Sequence, residues 1–140
     1  MLEFTAKKKK IKLTVNKDKG LETKVIADKE KIEQVLTNLI DNSIKYGKDN
    51  GTTEIVIQSL NEDKIIVRVT DNGVGFKKEN YTRIFERFFR VDRSGSRSAG
   101  GSGLGLAIVK HIIDAHDEKI YVESEFGVGS EFSFTLEKSK

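Results

Sequence analysis

The sequence predicts an α/β (α+β) two-layer sandwich, in which a mixed, mainly antiparallel sheet is covered on one face by about three helices. Short runs of alternating apolar and polar residues, typical of half-buried strands, recur along the chain. Between them lie segments that carry apolar residues at helical spacing. The length of 140 residues and the hydrophobic content of 36% suit a single domain over 1–140 with one core.

The first half of the chain predicts two strands and a long helix. Alternation predicts the strands over 11–15 and 23–27, with a turn at 17–20. Asp28 is suited to cap a helix over 29–46. One broad face of that helix should meet the sheet, and its residues are Ile32, Val35, Leu36, Leu39, Ile40 and Ser43.

The second half predicts two hairpins and two shorter helices. One hairpin pairs 54–60 with 64–70, and the other pairs 119–124 with 130–136. A short amphipathic helix is expected over 81–89 and a longer helix over 104–115. Residues 1–10 carry no start signal and are interpreted as the remnant of a helix or linker from an absent upstream domain.

Composition excludes several classes of protein. The chain has no cysteine, which excludes a disulfide framework and thiolate chemistry. Because it has no apolar run long enough to span a bilayer and no signal-peptide pattern, we expect cytoplasmic exposure and no membrane contact. The net charge is only +3, and the lysine run over 7–10 is interpreted as a solvated helix end. No nucleic-acid partner is therefore expected.

Two glycine-rich turns predict a nucleotide site. Residues 71–76 follow an alternating run that reads as a strand, and residues 101–106 open a helical pattern. The Asp71 carboxylate in the first turn can accept a hydrogen bond from the 6-amino group of adenine, where guanine has an oxygen. The second turn offers backbone N–H groups and a positive helix end to phosphates.

A polar stripe on the long helix predicts a metal and phosphate site. Asn38, Asn42 and Lys45 lie beside the apolar face, at the edge of the predicted core. An amide oxygen is a hard ligand suited to Mg²⁺ that also holds phosphate oxygens, and a lysine adds charge to those phosphates. Taken alone, the stripe could be ordinary solvated polar residues. The two glycine-rich turns in the same chain favour the metal interpretation.

Four ordered motifs resemble those of the catalytic domain of sensor histidine kinases, in particular the phosphate-regulon type. Residues 38–46 (NLIDNSIKY) resemble the N box, and 71–76 (DNGVGF) resemble the G1 box. Residues 83–92 (RIFERFFRVD) are similar to the F box, and 100–109 (GGSGLGLAIV) are similar to the G2 box. The resemblance covers nearly the whole chain. It implies the Bergerat ATP-binding fold of the gyrase, heat-shock chaperone, histidine kinase and mismatch-repair superfamily, abbreviated GHKL.

The resemblance assigns the phosphate end of the site. Asn42 would be the Mg²⁺ ligand, Asn38 would hold phosphate or a metal-bound water, and Lys45 would face the phosphates. Further phosphate contacts would come from Arg90, from Arg87 as a weaker candidate, and from Gly101, Ser102, Gly103, Leu104, Gly105 and Leu106. The loop over 93–101 would be a mobile ATP lid.

The resemblance also assigns the adenine end. Asp71 would bind the amino group of the base, and Gly73 and Gly75 would let the base approach the backbone. Tyr46 would lie near the base and sugar. The nucleotide pocket would be walled by Ile84 and Phe89.

By resemblance, the chain is the ATP-binding catalytic domain of a two-component sensor histidine kinase. It would bind Mg²⁺–ATP and donate the γ-phosphate to a histidine on a separate dimerisation domain, for onward transfer to a response regulator. The domain alone would be monomeric and unable to autophosphorylate, and the full protein would be a membrane-anchored homodimer.

The phosphoacceptor is expected outside this chain. His111 is interpreted as a packed residue and His116 as a helix-end residue that favours the dipole.

Two other functions remain as alternatives. A GHKL ATPase or an anti-sigma-factor serine kinase usually carries a glutamate base one helical turn before the metal-binding asparagine, and here that position is Asn38. An amide cannot take a proton at neutral pH, which disfavours both activities. A degenerate, non-catalytic domain is disfavoured by the intact motifs.

Asp117 and Glu118 replace the usual Gly-Gly pair, which puts in doubt the local turn and leaves the nucleotide site unaffected.

Overall fold

A computed structural model describes residues 10–21, 24–81, 83–86 and 105–139. These ranges contain six strands, two α-helices and one short 3-10 helix. The strands are β1 (Lys12–Lys17), β2 (Val25–Ile26), β3 (Thr52–Ser59), β4 (Lys64–Asp71), β5 (Ile120–Glu125) and β6 (Gly129–Lys138). The α-helices are α1 (Lys29–Lys45) and α2 (Gly105–Ala115), and the 3-10 helix spans Lys78–Asn80. None of the helices in these ranges is long and apolar enough to cross a membrane.

The strands form one mixed sheet in the order β1-β3-β4-β6-β2. Strand β1 runs parallel to β3, whereas the pairs β3–β4, β4–β6, β5–β6 and β2–β6 are antiparallel. The two hairpins are therefore the predicted ones. Strand β6 carries β4 on one edge, and on the other edge it pairs with β5 and, at its last two residues, with β2.

The core lies between the sheet and the two α-helices. Alternation along β4 and β6 turns one side chain in two toward the helices, as the pleat requires. The sheet contributes Ile65, Val67, Val69, Phe132, Phe134 and Leu136, and the helices contribute Ile32, Val35, Leu39, Val109, Ile112 and Ile113. Each such side chain stabilises the fold by roughly 1.5–3 kcal/mol when fully buried. The two-layer sandwich predicted from the sequence is confirmed.

The first turn of α1 is capped as predicted and is also tied to the end of α2. Asp28 Oδ1 accepts a hydrogen bond from the Lys31 N–H at 3.2 Å. His116 Nε2 accepts the Asp28 N–H at 3.0 Å, and its Nδ1 lies 2.8 Å from the Ile112 carbonyl oxygen. Because Nε2 accepts, Nδ1 is the ring nitrogen that donates to the Ile112 carbonyl. His116 is therefore a helix-end residue that bonds a carbonyl of the last turn of α2, in agreement with its structural interpretation.

The structure corrects three sequence predictions. His111 is exposed on α2 and is not packed. Among the described residues, the second strand spans only Val25–Ile26, which pair with the end of β6, while residue 23 lies outside them. No helix forms over the described part of 81–89: the 3-10 helix Lys78–Asn80 precedes this segment, and residues 81 and 83–86 form turns and a bend, while 82 and 87–89 lie outside the described residues. Ile84 and Phe85 therefore reach the core from a turn and not from a helical face.

The turn after α2 is formed without glycine. Asp117 has φ 56°, the left-handed conformation expected for this turn. Glu118 follows it and is buried, with 8% of its surface exposed. Its Oε2 lies 2.6 Å from Lys64 Nζ and its Oε1 accepts from Thr135 Oγ1 at 2.8 Å. The Asp-Glu pair therefore makes the turn and fixes it to the sheet.

Candidate functional site

A row of four polar residues crosses the sheet at the border of the core. Thr53, Asp71, Ser130 and Ser124 are paired in register on the adjacent strands β3, β4, β6 and β5. The neighbouring row on the same face is wholly apolar and consists of Ile55, Val69, Phe132 and Val122. Since side chains two residues apart share a face, the four polar side chains lie along the edge of the helix-covered core. We call this set the polar row.

Asp71 is the charged member of the polar row. The residue is 8% exposed, and its Oδ1 accepts a hydrogen bond from the Gly73 N–H at 2.9 Å. Burial raises the pKa of the Asp71 carboxyl above its ordinary value, and hydrogen bonds from the backbone N–H groups of Gly73 and Ser130 partly oppose that rise. An ionised carboxylate has about four acceptor sites, so two N–H donors leave capacity for an amino group of a ligand.

The turn after Asp71 packs against the end of α1 and the β5–β6 hairpin. The Val74 N–H donates to the Tyr46 carbonyl at 3.0 Å, and a Cβ on Gly73 would lie 2.2 Å from the same oxygen. Gly75 has φ 62°, and its Cβ would lie 2.2 Å from the Glu125 carbonyl oxygen. Both glycines are therefore required by contacts with the chain's own backbone. Their expected role in letting a base approach stays a prediction.

The polar stripe of α1 lies beside the apolar face, as predicted. Asn38, Asn42 and Lys45 are all half-buried. Asn38 Nδ2 donates to the Gly105 carbonyl oxygen at 3.4 Å, which brings the N-box segment to the start of α2. Lys45 Nζ forms an ion pair with Asp41 Oδ2 at 2.9 Å, one helical turn earlier. The carbonyl contact of Tyr46 likewise brings the end of α1 to the G1 turn, so three of the four motifs meet.

The remaining predicted site residues divide into two groups. Ile84 is buried in the core and Leu106 is half-buried against it, while Gly105 is exposed at the first position of α2. The others lie outside the described residues, namely Arg87, Phe89, Arg90, Gly101, Ser102, Gly103, Leu104 and the expected lid over 93–101.

Several polar residues that build the site were missed from the sequence. Ser43, placed on the apolar face of α1, bonds Thr53 of the polar row at 3.1 Å between hydroxyl oxygens. Asn72 Oδ1 accepts the Thr52 N–H at 2.8 Å and so fixes the start of β3. Ser124 and Tyr81 form a hydrogen-bonded cluster at the β5–β6 hairpin. The sequence carries a signal for these positions, because each member of the polar row is the polar residue at one end of an alternating apolar run.

A separate cavity of about 230 Å³ lies on the other face of the sheet. Its lining residues are Leu60, Ile66, Arg68, Tyr121, Glu123, Glu131 and Ser133. Arg68 Nε donates to Gln58 Oε1 at 2.9 Å in the same region. Because these side chains point away from α1 and α2, the cavity is distinct from the polar row.

Comparisons with known proteins agree with this geometry. The family described as histidine kinase-, DNA gyrase B- and HSP90-like ATPase matches residues 27–140. The sensor histidine kinase WalK of Bacillus subtilis (strain 168) is 40% identical over 110 residues, which cover 78% of this chain and 18% of WalK. The curated relatives that match are much longer, and the chain spans between about a fifth and a third of their length.

Solved structures share the fold. Full-length ShkA in complex with AMPPNP superposes with a TM-score of 0.82 at 28% identity, covering 99% of this chain and 29% of ShkA. Histidine kinase ThkA in complex with the response regulator protein TrrA superposes with a TM-score of 0.77 at 30% identity, covering 99% of this chain and 37% of that chain. The sheet and helices described above are therefore the GHKL arrangement.

Proposed function

The chain belongs to the family of histidine kinase-, DNA gyrase B- and HSP90-like ATPases, and on that premise we propose that it binds Mg²⁺–ATP and presents the γ-phosphate to a histidine on a separate dimerisation domain. Its curated relatives are sensor histidine kinases. The observation that carries the proposal is the buried Asp71 carboxylate, held by the Gly73 N–H at the edge of the core.

The chemistry of Asp71 selects adenine. Because Asp71 is only 8% exposed, its carboxylate needs donors to replace water, and the 6-amino group of adenine supplies one. Guanine presents an oxygen at that position and would be repelled. The likeness to ShkA bound to AMPPNP, an ATP analogue, supports the same assignment.

The stripe on α1 suits the phosphate end. No group of three histidine, cysteine or acidic side chains within the described ranges is placed to hold a metal. Asn42 is half-buried and has one side-chain amide oxygen, which fits Mg²⁺ because that ion is commonly held by one or two protein ligands together with substrate phosphates. When bound, the ion would neutralise phosphate charge. Asn38 would hold phosphate or a metal-bound water, and the ion pair of Lys45 with Asp41 would have to open for Lys45 to reach the phosphates.

The residues of this chain would act by positioning. Asp71 fixes the base, the polar stripe fixes the phosphates, and the nucleophile is the imidazole of the acceptor domain. Asn38, which contacts Gly105, stands where an ATPase or serine kinase would need a general base. Substituting Asn38→Glu tests this point, because basal hydrolysis should rise if the missing carboxylate is what prevents it.

The proposed partners follow from this mechanism. They are the protein's own dimerisation domain and, after phosphotransfer, a response regulator, a partnership supported by the ThkA–TrrA complex. We place the domain in the cytoplasm, as a monomer when isolated, within a full protein that is a membrane-anchored homodimer. The subfamily assignment to the phosphate-regulon type stays a prediction.

Calorimetry with AMPPNP and its guanine counterpart, with and without Mg²⁺, tests the proposal. We expect Mg²⁺-dependent binding that favours adenine, followed by phosphotransfer to a supplied dimerisation domain from a related kinase. A folded domain that binds no adenine nucleotide would refute the proposal in favour of a degenerate domain. A thermal melt establishes that the sample is folded.

A further inference from the structure

We propose that Ser124 and Tyr81 are positioning residues for the adenine-binding carboxylate of Asp71, an inference that rests on the proposed function. Neither residue lies in the G1 turn, and neither contacts Asp71 directly. They act through the two segments that hold the carboxylate. The inference is carried by a network of hydrogen bonds that meets at Ser124.

The Ser124 hydroxyl joins three parts of the chain. It accepts the Phe76 N–H at 2.8 Å, donates to the Gly129 carbonyl at 2.9 Å and lies 3.1 Å from the Ser130 hydroxyl oxygen. A hydroxyl has one hydrogen and two acceptor sites. Since the hydrogen goes to Gly129, the Ser130 hydroxyl is the donor in the third bond. All the hydrogen-bonding capacity of the Ser124 side chain is therefore used.

The Tyr81 phenol holds the backbone of the same residue. Its hydroxyl donates to the Ser124 carbonyl at 2.6 Å and accepts the Ser124 N–H at 2.6 Å. Its ring packs edge-to-face on Phe76, with ring centroids 5.5 Å apart. Strand β5 therefore has its N–H and C=O groups at Ser124 satisfied by a side chain from the segment that follows the G1 turn. This clamp joins that segment to the edge of the sheet.

Both bonds to Asp71 originate on segments that Ser124 ties together. Gly73, which donates to Asp71 Oδ1, lies in the turn that ends at Phe76. Ser130, whose backbone N–H is the second donor, is bonded to Ser124 through its hydroxyl. Without the Ser124 hydroxyl, the turn and the start of β6 lose the side-chain hydrogen bonds that join Phe76 to Gly129 and Ser130. The two N–H donors can then shift relative to each other.

The pH at which ATP affinity is lost on acidification reports the coupling between Ser124 and the Asp71 carboxylate. The groups that act on Asp71 within the described ranges are the N–H groups of Gly73 and Ser130, and both lower its pKa against the effect of burial. If removal of the Ser124 hydroxyl weakens either bond, the pKa of Asp71 rises further. The loss of ATP affinity on acidification should then begin at a higher pH. A residue with a purely structural role would lower stability without moving this profile.

The variants are Ser124→Ala, Ser124→Thr, which keeps the hydroxyl, and Tyr81→Phe, which keeps the ring. Ser59→Ala is the matched control. It removes a serine hydroxyl at the end of β3 that is remote from the polar row, where Lys138 Nζ donates to it. Binding of AMPPNP and its guanine counterpart is measured by calorimetry from pH 4.5 to 8, with a thermal melt for each protein.

We expect Ser124→Ala and Tyr81→Phe to bind AMPPNP roughly 3- to 10-fold more weakly, the size of one net hydrogen bond, with reduced preference for adenine. Ser124→Thr should recover most of the affinity, and Ser59→Ala should match the wild type. If the wild type binds adenine selectively while folded Ser124→Ala and Tyr81→Phe keep its affinity, selectivity and pH profile, this proposal is overturned and the proposed function stands. If the folded wild type binds no adenine nucleotide, both are overturned.

Discussion

Asp71 Oδ1 lies 2.9 Å from the Gly73 backbone nitrogen, so the carboxylate and the turn that follows it hold each other in place. We expect Asp71→Asn to weaken AMPPNP binding by roughly 10- to 100-fold, the value of a buried hydrogen bond to a charged group. An asparagine that keeps the Gly73 bond with its oxygen turns its NH₂ donor toward the adenine amine. Calorimetry measures the loss, with Asp63→Asn at the far end of the β3–β4 hairpin as control. Equal affinity in both variants would refute the adenine assignment.

The same substitution should change how stability depends on pH. Because the pKa of Asp71 is raised in the folded state, the folded chain binds the proton more tightly than the unfolded chain. Its ionisation therefore costs stability as the pH rises from the ordinary value of 3.8 to the folded value, and the cost stays constant above it. We expect the stability of Asp71→Asn relative to wild type to increase over that range and then level off. Urea unfolding from pH 3.5 to 7 measures this, and a difference independent of pH would contradict it.

The adenine carboxylate could be predicted from the sequence because its determinants are local. Asp71 ends an alternating run and is followed by the two glycines of its own turn, so one short stretch contains the group and its first hydrogen bond. The sequence shows that each member of the polar row lies at one end of an alternating run. It does not show which members become neighbours, because that depends on the register of strands that are far apart in the chain. Ser124 and Ser130 become neighbours of Asp71 only when β6 pairs with both β4 and β5.

We expect Asn42→Ala to lower the Mg²⁺-dependent part of nucleotide affinity more than the metal-free part. The reason is that one amide oxygen of the metal's coordination would be lost while the base contacts at Asp71 are untouched. AMPPNP titrations with Mg²⁺ and with a chelator separate the two parts. Thr37→Ala, at an exposed position on the same helix, is the control. Equal losses with and without Mg²⁺ would show that Asn42 is not a metal ligand.

The ion pair of Glu118 with Lys64 predicts a stability effect remote from the site. Glu118→Ala removes the partner of Lys64 Nζ at 2.6 Å and of the Thr135 hydroxyl at 2.8 Å, so the melting temperature should fall by several degrees. Glu118→Gln, which can keep the Thr135 bond, should lose less. Glu62→Ala in the exposed β3–β4 turn is the control. If Glu118→Ala has the same melting temperature as the wild type, the Lys64–Glu118 ion pair contributes nothing to stability.

This ion pair also has a defined pH range. The hydrogen bond to Glu118 raises the pKa of Lys64 above its ordinary value of 10.5. A raised lysine pKa means that the stabilisation is complete below 10.5 and is lost as the pH rises through the folded value. The wild type and Glu118→Gln should therefore differ by a constant amount at neutral pH and converge only in alkaline solution. Thermal melts from pH 7 to 11 check the convergence.

The Lys64–Glu118 contact shows what sequence patterns leave out. Replacement of Gly-Gly by Asp117-Glu118 indicates a left-handed turn, and the structure confirms that conformation at Asp117. Nothing in the local pattern indicates that the next side chain is buried against β4 and β6. Tertiary packing decides that, as it does for His116, whose Nε2 accepts the distant Asp28 N–H.

Gly73→Ala should destabilise the domain because the added Cβ would lie 2.2 Å from the Tyr46 carbonyl oxygen and 2.9 Å from the Gly47 Cα. Both are backbone atoms, so relief requires the end of α1 and the G1 turn to move apart. We expect a loss of roughly 1–3 kcal/mol in the free energy of unfolding, the usual cost of overpacking. Urea denaturation measures it.

Gly105→Ala is the matched control for that loss. A Cβ at Gly105 meets no atom within 4 Å, and the position lies in α2, where alanine is the better helix former by about 1 kcal/mol. Its stability should therefore stay the same or rise. Equal stability of Gly73→Ala and the wild type would mean that the turn can shift away from α1 without cost. That result would show that the Val74–Tyr46 hydrogen bond does not hold the G1 turn, and with it the adenine end of the site, against α1.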